Sequence, residues 1–215
     1  ETYTLNSGNT SNFENIWGSA RADTLTGDSN ANIIIGQEGA DTLNGGDGND
    51  TLWGDCTQSA CYSQVDSALY FPSPGTSFID GTGNDILNGG AGDDVIYGDA
   101  GDDTIDGGTG SDTITSGSGS DVIIITSTSG GDVLTDFSDG IDAIGFDSSL
   151  TSSGLTFSAS GSDTQIKNGS DLLITLSGIS SSSISAADLQ STNTSAQTLN
   201  GSSGNDNLIG GAGND

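Results

Sequence analysis

Aspartate side chains recur at a fixed interval in the middle of the chain, and their chemistry is that of oxygen ligands. From Asp80 to Ile124 the sequence divides into five blocks of nine residues: DGTGNDILN, GGAGDDVIY, GDAGDDTID, GGTGSDTIT and SGSGSDVII. Each block has Asp at place six and Leu or Ile at place eight, with glycine or another small residue favoured at places one, two and four. Carboxylates and backbone carbonyls are the hard donors that Ca²⁺ prefers, about six to eight around one ion. The repeated carboxylates are therefore candidate ligands for a hard cation such as Ca²⁺.

The same blocks predict the backbone that positions these aspartates. Glycine accepts positive φ and close backbone approach, so the first six residues of a block form a tight turn. The last three residues alternate like a β-strand, which sends place eight to one face. One triplet cannot form a sheet alone, but stacked turns of two blocks each would bury the aliphatic column between two parallel sheets. The shared phase of the aspartates and isoleucines favours this coil over a disordered acidic linker, the alternative for a Gly/Asp-rich run.

The blocks match the pattern G-G-x-G-x-D-x-U-x, and the chain therefore resembles the RTX (repeats-in-toxin) calcium-binding family. This resemblance implies an all-β fold, a parallel β-roll with two nonapeptides per turn and a short antiparallel β cap. It also implies several bound Ca²⁺ ions, roughly eight to ten. The residues expected to form the calcium loops, as acidic ligands or as turn residues, are Gly36, Glu38, Gly39, Asp41, Gly45, Gly46, Asp47, Gly48, Asp50, Asp80, Gly81, Thr82, Gly83, Asp85, Gly89, Gly90, Ala91, Gly92, Asp94, Gly98, Asp99, Ala100, Gly101, Asp103, Gly107, Gly108, Thr109, Gly110, Asp112, Gly117, Gly119, Asp121, Asp132 and Asp206.

The nine-residue phase extends beyond the central blocks and sets the predicted domain bounds. The roll is expected to span residues 1–135. Its blocks in 9–35 are degenerate and include a neutral Asn32 at place six, so calcium binding is expected to be weak or absent there. An insertion at about 56–76 interrupts the phase. If the enlarged block still forms one half-turn, closed by residues 77–79, then Asp50 and Asp85 lie on the same edge of the roll.

The segment after the roll is expected to close its C-terminal end. DFSDGIDAIGF (136–146) resembles the segment that ends RTX rolls, so Asp136 and Asp142 are expected to bind a last ion or to cap the loops. Alternating strands with an Asn168-Gly169 hairpin signal complete a β-rich cap over 136–189. Residues 190–198 form a polar linker, and 199–215 restart the repeat as a further roll or an assembly tail.

The insertion contains the two cysteines of the chain, Cys56 and Cys61. An oxidising extracellular setting favours a disulfide between them, and free thiols are the alternative. The aromatic residues Tyr62, Tyr70 and Phe71 either pack the insertion onto the roll or contact a partner, with a cell-surface glycan as one such partner.

The charge balance excludes some partners and suggests a role for calcium in folding. Thirty acidic residues face two basic ones, with no histidine, for a formal charge of −28. Because such a chain repels itself, divalent ions are expected to drive its folding. Nucleic acid is excluded as a partner since few basic residues could contact phosphates. No segment is long and apolar enough to span a membrane. The resemblance implies secretion from a Gram-negative-type bacterium by the type I route, although no convincing signal is visible and the chain is expected to be a mature or excised piece.

Catalysis is not expected, because the sequence has no histidine, nucleophile elbow or phosphate-binding loop. The predicted function is an extracellular structural module that folds on calcium and assembles with copies of itself or with neighbouring repeats. The assembly would be a filament, a surface layer or a long adhesin, with 199–215 stacking head-to-tail on the next copy. A tandem array explains that tail equally well. The alternative functions are a calcium-dependent secretion and folding domain of a type I secreted enzyme and an adhesin that binds carbohydrate through the insertion.

Overall fold

The computed structural model describes residues 2–4, 15–55 and 82–191. Several predictions therefore lie outside the described residues. These are the disulfide between Cys56 and Cys61, the packing of the insertion and the roles of Asp80, Gly81 and Asp206. The linker and the tail lie outside them as well.

In the described residues up to Phe146, successive strands alternate between two stacked β-sheets, and the later strands add to the C-terminal ends of these sheets. The first sheet contains, in spatial order, β1 (Thr2–Thr4), β3 (Thr24–Thr26), β5 (Thr42–Asp47), β7 (Ile86–Ala91), β9 (Thr104–Thr109), β11 (Val122–Ile125), β13 (Ala143–Phe146) and β17 (Leu189–Ser191). The second contains, in spatial order, β2 (Asn15–Trp17), β4 (Ile33–Ile35), β6 (Thr51–Trp53), β8 (Val95–Tyr97), β10 (Thr113–Thr115), β12 (Asp132–Leu134), β16 (Asp171–Leu176), β15 (Asp163–Asn168) and β14 (Leu155–Ser160). This alternation confirms the predicted parallel β-roll.

The aliphatic residues at place eight form the core between the sheets. Parallel pairing sets Leu25 beside Leu43 and Ile105 beside Ile123, so each column stays in register along the roll. Burial of one such side chain contributes about 1.5–3 kcal/mol. The column, all of it buried, comprises Ile16, Leu25, Ile34, Leu43, Leu52, Leu87, Ile96, Ile105, Ile114, Ile123, Leu134 and Ile144.

The predicted placement of Asp50 and Asp85 on one edge is wrong. Strand β7 pairs with β5 and not with β6, and the Asp41 N–H donates to Asp85 Oδ1 at 2.7 Å. These two residues are 44 apart, whereas the stacked pair Asp23 and Asp41, one turn earlier, is 18 apart. The excess equals the length of segment 56–81, so the insertion interrupts one loop and contributes no half-turn. Asp85 therefore stacks on Asp41, and Asp94 stacks on Asp50.

A second hydrophobic cluster lies outside the core, at place nine and, for Ile33, place seven of the blocks that form the second sheet. Ile35 and Trp53 are buried there, with Trp17, Ile33 and Tyr97 packed against them. The rings of Trp53 and Tyr97 are stacked, with centroids 5.4 Å apart. Because place nine points away from the place-eight column, this cluster forms an apolar strip on the outer face of the sheet.

The C-terminal cap is built on the last turns of the roll. Strands β14, β15 and β16 are antiparallel, and Gly169 takes a positive φ of 63° in the predicted hairpin between β15 and β16. Strand β16 then pairs with β12 in parallel, and β17 pairs with β13, so parallel pairing continues past residue 135. Short 3₁₀ helices occupy Ser152–Gly154 and Ala186–Asp188. In the described part of the chain, no helix is of a length and hydrophobicity that would cross a membrane.

Candidate metal centres

The place-six side chains form two ladders, one along each edge of the roll. Each place-six residue is one rung of its ladder. Within a ladder, one side-chain oxygen of a rung accepts the backbone N–H of the rung one turn earlier, as in Asp85 N–H to Asp103 Oδ1 at 2.8 Å. The first edge contains Asp23, Asp41, Asp85, Asp103, Asp121 and Asp142. The second edge contains Asn32, Asp50, Asp94, Asp112 and Asp132. The ladder therefore fixes one oxygen of each carboxylate and leaves the other available.

That other oxygen has no protein donor in the central rungs. A buried carboxylate oxygen without a hydrogen bond is costly, because it has lost its water and gained no replacement. Among the residues that the structure describes, no hydrogen-bond partner exists for the buried Oδ2 atoms of Asp41, Asp50, Asp85, Asp94, Asp103, Asp112, Asp121 and Asp132. Such a set of oxygens requires a cation or a proton.

Glycine at place one keeps open the space that these oxygens face. A Cβ on Gly45 would lie 2.3 Å from Asp50 Oδ2 and 2.3 Å from the Gly89 carbonyl oxygen. A carboxylate and a carbonyl from the next turn therefore converge beside the glycine, and any side chain would fill the space between them. The same contact with Oδ2 of the loop's own aspartate occurs at Gly36, Gly54, Gly89, Gly98 and Gly107. Converging hard oxygens of this kind fit Ca²⁺.

The electrostatics of the central rungs agree with this fit. Burial raises the pKa of Asp50 to about 7, and the neighbouring carboxylate of Asp94 adds to the increase. Burial likewise raises the pKa of Asp103 to about 7, and repulsion from the Asp85 carboxylate adds to the increase. A carboxylate in this setting is hard to ionise alone. A bound divalent cation would favour the ionised form and would link successive turns through shared oxygens.

The remaining loop positions supply backbone and not side chains. At place four, Gly92 has a φ of 138°, and a Cβ there would lie 1.6 Å from the Gly48 carbonyl oxygen, so successive loops stack too closely for any side chain. At place three, Asp47, Thr82 and Thr109 are exposed, while Glu38, Ala91 and Ala100 are half-buried. No three acidic, histidine or cysteine side chains converge on one point in the described ranges. An ion here would be held by carboxylates together with backbone carbonyls.

Positions two and four of the other loops follow the same scheme. The glycines with positive φ in these loops are Gly39, Gly46, Gly48, Gly90, Gly101, Gly108, Gly110, Gly117 and Gly119. Asp99 occupies place two in its loop and also has a positive φ, of 73°. Gly83 occupies place four without a positive φ, but a Cβ on it would lie 1.6 Å from the Gly39 carbonyl oxygen.

Three of the four rungs at the ends of the ladders differ from the central ones. The fourth, Asp132, ends the second edge but has a buried Oδ2 without a donor among the described residues, and it is counted with the central rungs. Asp142 Oδ2 accepts the Ser138 N–H at 2.7 Å, in addition to the ladder bond from Asp121. Asp136 accepts two backbone N–H groups, from Ser116 at 2.9 Å and from Gly117 at 2.8 Å. Of the two predicted roles for these residues, the geometry matches capping of the loops.

The N-terminal rungs are satisfied in a similar way. Asp23 Oδ2 accepts both the N–H and the hydroxyl of Ser19, at 2.7 and 2.9 Å. In the other ladder the Asn32 Oδ1 accepts the Asp28 N–H at 2.8 Å. The predicted weakness of calcium binding in 9–35 therefore has a structural correlate: protein donors take the place that a cation would occupy.

Two loop residues that the predicted ligand set omits belong to the interrupted loop. Gly54 occupies place one there, since a Cβ on it would lie 2.3 Å from Asp85 Oδ2, and Asp55 occupies place two. The signal was present in the sequence, because Gly54-Asp55 begins a block directly after the x-U-x triplet of β6. The predicted loop began instead at Asp80-Gly81, so Gly54 and Asp55 were left out of the predicted ligand set.

A comparison with models of protein families identifies the repeat. A family model described as the RTX calcium-binding nonapeptide repeat (4 copies) matches residues 10–43, 17–52, 79–114, 97–124 and 191–215, which together cover more than half of the chain. A comparison with curated protein sequences finds no significant match.

Similar solved structures include the solution structure of a subunit of the Azotobacter vinelandii mannuronan C5-epimerase, with 26% identity and a TM-score of 0.40 over 50% of this chain and 73% of that one. They also include the extracellular lipase of Serratia marcescens, with 18% identity and a TM-score of 0.39 over 82% of this chain. The chain spans only 40% of that lipase. The family model, together with the ladders and the core, shows that the chain belongs to the RTX calcium-binding nonapeptide-repeat family.

Proposed function

We propose that this chain is an extracellular structural module whose folding depends on calcium and which joins copies of itself, or neighbouring repeats, end to end. The observation that carries the calcium dependence is the row of buried central Oδ2 atoms, which have no donor within the described residues. With a formal charge of −28, the ion-free chain repels itself, and bound divalent ions would remove much of that charge.

Calcium dependence would restrict folding of the module to the outside of the cell, where calcium is high. Ion binding that occurs only in the folded state stabilises that state by mass action. Extracellular calcium modules bind at about 10⁻⁴–10⁻³ M, far above cytoplasmic calcium. The chain would therefore stay unfolded before export and fold outside the cell.

The end-to-end contact is supported by two features at opposite ends of the chain. The family model matches again at 191–215, after the cap. At the N-terminal end of the roll, β1 pairs only with β3 and β2 only with β4 in the part of the chain that is described. Edge strands with free backbone groups favour pairing with another chain. Repeats from 199–215 of one copy would extend the sheets of the next copy and give a filament, a surface layer or a long adhesin.

The test is electron microscopy of the purified protein with calcium, after chelation, and after deletion of 199–215. We expect filaments or strings of modules with calcium, and single modules in the other two cases. The deletion variant must keep its calcium-dependent circular dichroism, which shows that its roll still folds. Assembly that persists without 199–215 would contradict the end-to-end contact.

A further inference from the structure

The loop interrupted by the insertion is closed by residues from both sides of that insertion. Strand β6 ends at Trp53, and Gly54 and Asp55 follow it. The chain is described again from Thr82, and Asp85 leads into β7. Between these two pieces, the Gly83 N–H donates to Asp55 Oδ2 at 3.0 Å. Gly54-Asp55 and Thr82–Asp85 thus form one six-residue loop with 56–81 inserted between places two and three.

This split loop has the geometry of the uninterrupted loops. Its place-one Cβ, on Gly54, would lie 2.3 Å from Asp85 Oδ2 and 2.9 Å from the Gly98 carbonyl oxygen. Its place-six residue donates to Asp103 Oδ1 and accepts from Asp41, as the ladder requires. The loop has therefore kept its form although 26 residues enter it, which is the excess in spacing between Asp41 and Asp85.

Asp55 adds a group that the nonapeptide pattern does not contain. The pattern has glycine at place two, whereas here a carboxylate occupies it and is 1% exposed. Asp55 Oδ2 is bonded to Gly83, but its Oδ1 is buried and meets no hydrogen-bond donor among the described residues. The charges that act on it are those of Asp103, Asp99 and Asp41, all acidic. A carboxylate buried among carboxylates needs a cation.

We propose that the split loop binds a divalent cation of the calcium class, with Asp55 as an additional carboxylate ligand, and that this ion joins the two ends of the insertion to each other. The proposal rests on the calcium dependence of the roll. Its consequence is that segment 56–81 is anchored at both ends by one ion, so ion binding in this loop sets how closely the base of the insertion is held.

The first test compares Asp55→Asn with Asp102→Asn. Both changes remove one negative charge and keep an oxygen acceptor, but Asp102 is exposed at place five of the next loop, where it accepts the Ser120 N–H. Native mass spectrometry at saturating calcium should show one ion fewer for Asp55→Asn and the wild-type number for Asp102→Asn. Chymotrypsin should cleave within 56–81 several-fold faster in Asp55→Asn alone. Equal ion counts and equal cleavage in the two variants would overturn the proposal.

The second test uses two deletions of equal length, so the proposal can be tested even if Asp55→Asn fails to fold. Removing 56–81 joins Asp55 to Thr82 and gives the loop GDTGND, whereas removing 54–79 gives DGTGND. We expect the first deletion to keep the wild-type ion count. The second should lose an ion, because it puts Asp80 at place one, where even a Cβ built on Gly54 would lie 2.3 Å from Asp85 Oδ2. The opposite result would assign the loop to Asp80 and overturn the proposal.

These outcomes are separate from a failure of the proposed function. If the wild-type protein does not fold in response to calcium, the calcium-dependent module itself is refuted. If the wild type does respond but Asp55→Asn binds as many ions as Asp102→Asn, only the role of Asp55 is refuted.

Discussion

The central and terminal rungs of the aspartate ladders share their backbone bonds but differ in what meets the second carboxylate oxygen. In the centre, Asp103 Oδ2 is buried and has no donor within the described residues. At the ends, Asp142 Oδ2 accepts the Ser138 N–H, and Asp23 Oδ2 accepts from Ser19. The ladder bond alone therefore does not mark a calcium site. A calcium site is marked instead by a buried carboxylate oxygen that has no protein donor and faces a place-one glycine.

The difference has a simple physical basis. At the rungs of Asp23, Asn32 and Asp142, a residue four positions earlier in the chain supplies an N–H group that satisfies the side-chain oxygen without an ion. A central rung has identical loops on both sides, and each presents carbonyl and carboxylate oxygens toward the next, as at Gly45. Stacking of identical acceptor-lined loops thus creates a site that only a cation or a proton can complete.

The largest expected effect concerns how the stability of the roll depends on pH. Without calcium the roll should be more stable at acidic than at neutral pH, and with calcium the dependence should be the opposite. Burial raises the pKa of Asp41 and Asp121 to about 6, and of Asp50, Asp85 and Asp103 to about 7, from an ordinary 3.8. The pKa of Asp94, Asp112 and Asp132 is also raised by burial. The two terminal carboxylates differ from each other. The pKa of Asp23 is lowered although burial acts against this, because its hydrogen bonds, including those from Ser19, outweigh the effect of burial, whereas burial raises the pKa of Asp142 despite its hydrogen bonds.

A folded state with raised pKa values binds more protons than the unfolded state, so its stability falls as pH rises from about 4 through about 7. With a chelator present, we therefore expect β-type circular dichroism at pH 5 and its loss by pH 8. With saturating calcium the direction reverses, since protons compete with the ion for the carboxylates. A chelated protein that is equally unstructured at pH 5 and pH 8 would contradict the account of the central rungs.

The next effect compares one central with one terminal substitution, Asp103→Asn and Asp142→Asn. Both keep an oxygen that can accept the ladder N–H. We expect Asp103→Asn to lose one ion in native mass spectra and to need about tenfold more calcium for folding, because one charged ligand is gone. Asp142→Asn should keep the full ion count and lose about 1–2 kcal/mol of stability to urea at saturating calcium, because the Ser138 N–H loses its acceptor. If both variants lost an ion, terminal and central rungs would not differ in kind.

The smallest expected effect is that of Asn32→Asp, which gives a terminal rung the residue type of a central one. A Cβ on Gly27 would lie 2.1 Å from Asn32 Oδ1 and 2.2 Å from the Gly45 carbonyl oxygen, as in the central loops. The Asp28 N–H already occupies the Asn32 oxygen, however. We expect the ion count to stay unchanged in native mass spectra. An increase of one ion would show that the residue type, and not the local donor, limits binding there.

Much of the fold followed from the sequence because its signal is periodic. The place-eight column from Ile16 to Ile123, the two stacked sheets and the hairpin at Gly169 were all predicted, since each depends on local pattern and burial. The edge on which Asp85 lies was predicted wrongly. The nine-residue phase is the same on both edges, so counting blocks across an insertion does not reveal whether it forms a half-turn.

The candidate sites were predictable by type but not individually. The nonapeptide pattern identified Asp41 as a calcium ligand, and the resemblance of 136–146 to a roll-ending segment left Asp136 as either a ligand or a cap. Only the structure shows that Asp136 accepts the N–H groups of Ser116 and Gly117. Asp55 was missed because the start of its loop was assigned to Asp80-Gly81, on the far side of the insertion. Which oxygens lack a donor depends on hydrogen bonds between turns, and these follow from the stacking of loops distant in sequence.

The central claim is that the buried Oδ2 atoms of the central rungs require calcium at neutral pH. A calcium titration of the chelated wild-type protein at pH 7.5, followed by circular dichroism, tests this most directly, with Mg²⁺ as the matched ion. The account predicts a cooperative gain of β-structure at about 10⁻⁴–10⁻³ M calcium, little response to Mg²⁺ and full reversal by EGTA. A spectrum with the same β-content in EGTA as in calcium would contradict it.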